Sequence, residues 1–203
     1  MTRSSGLALA FAMALGSVGA QAAPVIVNGS FETASLSGWG GTATTDGHGY
    51  NPFGTTYGSG MDGTHWMWLA GYDTERTLSQ TITGLTAGSA YRILFIMASE
   101  YTHGDQLNVS IDGGAQTLFT APSIKTTFWD NWLEQGYDFT ASGSSASLLF
   151  SSVGLNKRGY DVGLDNVRIQ ASNAVPEPAS LGLVVLGVAA LGFSTRRKPK
   201  QPA

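Results

Sequence analysis

Tyr91-Arg92-Ile93-Leu94-Phe95-Ile96-Met97-Ala98, and after it Leu107-Asn108-Val109-Ser110-Ile111 with the turn Asp112-Gly113-Gly114, set the fold class. The first stretch is apolar on both faces apart from Arg92, which suits a central strand covered by a second sheet. The second alternates apolar and polar residues, as does a strand with one buried face, and Asp112-Gly113-Gly114 turns the chain back. One strand buried on both faces beside one buried on a single face predicts two packed antiparallel sheets.

Working outward, short alternating runs separated by Gly, Asn, Asp and Ser recur on both sides. Strands are predicted over 66–69, 78–83, 91–98, 107–111, 116–120, 137–140, 147–151 and 164–169, and no window between Pro24 and Asn173 sustains a helical apolar period. The composition agrees: of 203 residues 42% are hydrophobic and 12% charged, with 27 Gly. That is enough apolar surface for a core, and it excludes a disordered charged tail and a coiled coil. Once the two ends are set aside, about 150 residues remain, which fits one domain. Between residues 24 and 174 there are 13 acidic and 6 basic side chains. Such a surface repels phosphate backbones and excludes nucleic acid as a partner, while unpaired carboxylates remain available to a divalent metal. The chain has no Cys, so no disulfide staples it, and the domain rests on its core or on a metal.

Both ends carry addresses. Residues 1–23 read as a secretory signal: Arg3 is the basic start, Leu7 to Ala20 the apolar stretch, and Ala20-Gln21-Ala22 the small-x-small pattern recognised by signal peptidase. The organisation that follows is a β-sandwich over 24–171, a linker over 172–179, a hydrophobic helix over 180–194 and a basic cytoplasmic tail over 195–203. An apolar run of this length is short of the roughly 20 residues of a comfortable span, and the basic cluster behind it favours a cytoplasmic end. Pro176-Glu177-Pro178, the short hydrophobic segment and Arg196-Arg197 resemble the PEP-CTERM sorting signal. That resemblance implies recognition by exosortase, a membrane-embedded transpeptidase-like enzyme of Gram-negative bacteria that make exopolysaccharide. It further implies export, transient membrane retention through the C-terminal helix, cleavage near Pro176-Glu177-Pro178, and arrival at the cell surface or in the extracellular matrix.

Within the sandwich, five pieces occur in order: Asn28-Gly29-Ser30-Phe31-Glu32, Gly38-Trp39, Leu78-Ser79-Gln80-Thr81-Ile82, Gly84-Leu85-Thr86-Ala87-Gly88 with Tyr91, and Leu164-Asp165-Asn166-Val167. Together they resemble the galactose-binding-like jelly roll used by many carbohydrate-binding modules. The other candidate is an immunoglobulin-like sandwich, whose Trp and Cys pair cannot be assembled without Cys. The jelly-roll resemblance implies a structural Ca²⁺ held by Glu32 and Asp165, with Asp62 a third candidate; oxygen donors of this kind suit Ca²⁺. The alternative is that Glu32 caps a loop and Asp165 accepts from backbone amides at a strand end.

Ligand binding falls to the aromatics, because sugar rings stack their C–H face on aromatic faces while hydroxyls meet polar side chains. In His65-Trp66-Met67-Trp68-Leu69 the period of two puts Trp66 and Trp68 together on one face. If Met67 and Leu69 face the core, both Trp point outward, as a platform or under a covering loop. Trp129, Asp130 and Trp132 form a second cluster, and Tyr101 follows the central strand. A non-catalytic carbohydrate binder is therefore expected, with exopolysaccharide as ligand; a structural or protein-binding matrix component is the alternative. The chain has no G-x-S-x-G, no H-E-x-x-H and no Cys nucleophile, so no enzyme is expected, although Glu100, Asp105 or Glu134 could pair as glycosidase carboxylates.

Overall fold

The structure is a computed structural model that describes residues 23–44, 53–55, 62–70, 74–100, 104–123, 131–153 and 161–172. They form ten strands: β1 (Gly40–Gly41), β2 (Phe53–Thr55), β3 (His65–Ala70), β4 (Thr77–Thr83), β5 (Ala90–Ser99), β6 (Gln106–Ile111), β7 (Thr117–Thr120), β8 (Leu133–Thr140), β9 (Ser145–Ser152) and β10 (Asp161–Ala171). The first sheet runs β1-β4-β9-β6-β7 and the second β2-β3-β10-β5-β8, and every pairing is antiparallel. The expected all-β, two-sheet sandwich is what forms. The signal segment before residue 23, the hydrophobic segment 180–194 and the basic tail lie outside the described residues. Among the described residues no helix is long and apolar enough to cross a membrane.

The core follows from alternation. Leu78 and Ile82 of β4, Leu107 and Val109 of β6, and Leu148 and Phe150 of β9 face inward from the first sheet. Met67, Leu69, Ile93, Phe95, Met97, Val162 and Leu164 answer from the second. The Phe95 ring meets Phe150 edge-on at 5.3 Å and Phe119 at 5.2 Å, stitching the sheets together. The β6–β7 hairpin turns where predicted. Asp112 and Gly113 both take positive φ (52° and 68°), and the Asp112 carboxylate accepts from the Ser147 N–H at 2.7 Å.

Tyr91 to Ala98 is covered by the other sheet on one face only. Its second face, Leu94, Ile96 and Ala98, is also buried, but under side chains on the outside of the second sheet rather than under a third layer. Strand β8 begins at Leu133, four residues before the predicted start at Tyr137; Leu133-Glu134-Gln135-Gly136 becomes a strand because it pairs with Leu94 to Met97 of β5.

The ordered sequence motifs meet in space. Gly29 lies so close to the Val167 carbonyl that no Cβ fits, and its own carbonyl accepts from the Val167 N–H at 2.8 Å, so the first motif closes on the last. β10 bulges between Asp165 and Arg168, with Asn166 at φ 47°. The buried Phe31 ring stacks on Trp39 at 5.6 Å, and the Trp39 indole N–H donates to the Asn28 carbonyl at 3.0 Å. Gln80 straps Val27 to β4: its Oε1 accepts from the Val27 N–H (2.7 Å) and its Nε2 donates to the Val27 carbonyl (2.9 Å). The Tyr91 hydroxyl accepts from the Thr86 N–H at 2.9 Å, closing the Gly84–Tyr91 motif.

Candidate functional site

Because Met67 and Leu69 are fully buried in the core, Trp66 and Trp68 point to the outer face of the second sheet, as the period of two predicts. Register gives the floor beneath them. Gly163 of β10 lies opposite Trp68 on one side and Ala98 of β5 on the other, so two small residues leave room for large rings. Trp132, just ahead of β8, packs edge-on against Trp66 at 5.5 Å, and Trp68 lies tilted on Trp66 at 6.3 Å. Trp68 and Trp132 keep part of their surface exposed. Trp66, expected as a platform residue, is 1% exposed: it is packed over Gly54 and between the other two rings, and supports them rather than offering its own face.

Carboxylates flank the three rings. Alternation puts Asp161 and Asp165 on the same face of β10 as Gly163, and Glu100 beyond Ala98 on β5. At one end, Asp105 ties the start of β6 to the end of β5: its Oδ2 accepts from the Ser99 hydroxyl (2.6 Å) and the Glu100 N–H (2.8 Å). Burial, then a hydrogen bond with the Asp161 carboxyl and its charge, then the Asp105 charge, push the Glu100 carboxyl up to about 8.

At the other end, Glu32, Asp62 and Asp165 converge on the segment 62–65. The Asp165 Oδ2 accepts from the Asp62 N–H (2.7 Å) and its Oδ1 from the Asn166 N–H (2.6 Å). The Glu32 carboxylate accepts from the Thr64 N–H (2.9 Å), the Thr64 hydroxyl (3.1 Å) and the His65 N–H (2.8 Å), and it fills the space a side chain on Gly63 would need. Burial foremost, together with the Asp62 and Glu32 charges, pushes the Asp165 carboxyl up to about 7 against its two amide donors. For Glu32 the loop donors prevail over burial, the largest opposing effect, and lower its pKa. These contacts are those of a loop cap and a strand-end acceptor. Among the described residues no three acidic or histidine side chains gather closely enough to hold a metal as they stand. All three are nonetheless oxygen donors suited to Ca²⁺, and the carboxylate crowding at Asp165 is of the kind a cation relieves.

Sequence reasoning missed a polar trough farther along the same face. Its floor is Leu94 and Gly136, neighbours across β5 and β8, and its walls are Arg92, Arg168, Glu134 and Gln170, enclosing about 550 Å³. Arg168 is hydrogen-bonded to Glu134, and Arg92 lies over Gly136 with its Nη1 3.6 Å from the Asp138 carboxylate. Only the cross-strand register could have revealed it, since Arg92, Glu134 and Arg168 stand on three strands far apart in sequence. Tyr101, Trp129 and Asp130 lie outside the described residues, as do Pro176, Glu177, Pro178, Arg196 and Arg197.

Residues 174–198 match the PEP-CTERM protein-sorting motif. No curated protein sequence is detectably similar to the chain. Among solved structures, the domain is similar to the carbohydrate-binding module TmCBM61, solved with β-1,4-galactotriose (21% identity, TM-score 0.46, 72% of this chain and 97% of that one). It is also similar to a family 16 carbohydrate-binding module (18%, 0.46, 71% and 98%). A third match is the enzymatically active domain of tailspike protein 4 of bacteriophage CBA120 (12%, 0.51, 72% and 21%). The chain spans less than two thirds of several other matched structures, 64% of one and 26% of another. The likeness is one of fold. A PEP-CTERM signal implies export and transient anchoring through the C-terminus, so the chain carries a PEP-CTERM sorting motif behind an all-β sandwich whose structural neighbours include carbohydrate-binding modules.

Proposed function

We propose that the sandwich is a non-catalytic carbohydrate-binding module, processed by signal peptidase and exosortase and delivered to the cell surface or extracellular matrix, where it holds exopolysaccharide. The observation that supports this most is the pair Trp68 and Trp132, two partly exposed indoles braced by the buried Trp66 on a floor of Gly163 and Ala98. Such rings offer a stacking surface for a sugar, with polar groups at either end for its hydroxyls. Tyr101, Trp129 and Asp130 belong to the same proposed site. Glu32, Asp62 and Asp165 are proposed as the residues that would hold Ca²⁺, whose role would be structural, tying the first motif to the last.

The test is binding of residues 24–174 to a glycan panel, including galactotrioses and the producer's exopolysaccharide, with and without Ca²⁺. Saturable binding that Trp68→Ala or Trp132→Ala abolishes, with the melting temperature near that of the parent, supports the reading; a panel with no ligand removes it. The burial of Trp39 and Trp66 favours a second reading, a structural or protein-binding matrix component. It gains the ground if the panel is empty.

A further inference from the structure

We infer that the trough between Arg92 and Arg168 is a second sugar subsite, continuous with the tryptophan cluster, so that the ligand is a neutral oligosaccharide lying along β5 rather than a single terminal sugar. The inference deepens the proposed carbohydrate binding and rests on it. Three observations carry it. First, the outward row of β5, Ala98, Ile96, Leu94 and Arg92, runs from beneath the tryptophans to the trough; its first three residues are buried, so the side chains that cover them form the surface between the two. From Ala98 to Leu94 is about 13 Å at strand rise, more than one sugar ring covers.

Second, the trough is lined by partners for sugar hydroxyls: the two guanidiniums, the Glu134 carboxylate and the Gln170 amide stand as donors and acceptors around Leu94 and Gly136, with the Arg92 guanidinium lying over Gly136. Its volume of about 550 Å³ lies within the range of small-ligand pockets. Third, the charges are internally matched: Arg168 with Glu134, and Arg92 with Asp138. An anionic ligand would have to displace a carboxylate from each guanidinium, whereas a neutral polyol accepts from the arginines and donates to the carboxylates without breaking either pair. Gly136 is the position that lets the Arg92 guanidinium lie down in the trough, since a side chain there would meet it.

The experiment is a length series of neutral oligosaccharides, β-1,3- and β-1,4-linked galacto- and gluco-oligosaccharides from one to six residues, titrated by calorimetry against the parent and the variants Gly136→Val, Arg168→Gln and Trp132→Ala. Affinity is expected to rise at least tenfold between di- and hexasaccharide in the parent. Gly136→Val and Arg168→Gln should remove that rise while leaving disaccharide binding unchanged, and Trp132→Ala should weaken every length. Gly136→Val adds a β-branched side chain at an outward strand position, and the more conservative Arg168→Gln guards against a folding defect. Length-independent affinity in the parent, or variants that keep the rise, overturns the subsite while leaving carbohydrate binding intact. A series in which uronic-acid oligosaccharides bind and neutral ones do not overturns the assignment of ligand charge. No binding at any length overturns both the subsite and the reading it rests on.

Discussion

The outer faces of the two sheets share one fold and carry opposite chemistry. On the first sheet, outward positions of β4 and β9 are mostly short hydroxyl residues, Thr81 opposite Ser147 and Thr83 opposite Ser145, with Ser79 opposite Leu149, and Leu118 stands exposed on β7. On the second, the corresponding rows hold three tryptophans, paired carboxylates and two arginines, and even the outward Leu94, Ile96 and Ala98 are buried beneath their neighbours. Inward rows in both sheets are dictated by the shared core; outward rows are free of it. Among the described residues the outward aromatic rings are gathered on one outer face, where they build a second, smaller apolar cluster, and the other face has none.

The sharpest way to break the contrast is to strike what both faces depend on. Phe150→Ala removes the ring that meets Phe95 and Trp39 across the core and should cost about 3–5 kcal/mol, read as a lower denaturation midpoint. Glycan binding is then lost along with the fold. Next, Trp68→Ala should weaken glycan binding at least tenfold, about 1.4 kcal/mol, in a domain that still melts cooperatively. A milder test uses pH. Glu100 and Asp165 are carboxyls whose folded pKa values, about 8 and about 7, lie above their ordinary ones, so the folded state holds protons the unfolded chain releases. Their contribution is fully present below pH 4 and is lost as pH rises to about 8. The metal-free domain should therefore melt lower at pH 8 than at pH 5, and Glu100→Gln should flatten the upper part of that slope. If Ca²⁺ takes the Asp165 site, adding it at pH 8 should restore melting temperature in the parent but not in Asp165→Asn; equal melting with Ca²⁺ and with chelator in the parent would remove the metal. The smallest effect is expected on the other face: Ser79→Ala with Thr81→Ala should stay within about 0.5 kcal/mol each and leave glycan affinity unchanged.

Period-two alternation located strands wherever a row of apolar residues faced the core, as in Leu107 to Ile111 and Leu148 to Phe150. It failed where pairing alone makes the strand. Gly40–Gly41 joins the first sheet through Leu78 and Ser79, Phe53–Thr55 the second through His65 to Met67, and neither carries a pattern of its own. At the site, alternation gave the direction of Trp66 and Trp68 but not their depth, since Trp66 is covered by Trp132 from a distant segment. The convergence of Glu32, Asp62 and Asp165 was legible only through a resemblance, and the trough not at all, because register between β10, β5 and β8 is a tertiary property.

β10 is hydrogen-bonded on both sides, to β3 and β5, and its pairing with β5 persists to Ala171, with the Ser172 N–H still donating to the Ala90 carbonyl. The sorting motif begins two residues later. The segment that holds the chain in the membrane before processing thus follows closely on a strand built into the sheet, so the sandwich and its sorting signal adjoin in sequence.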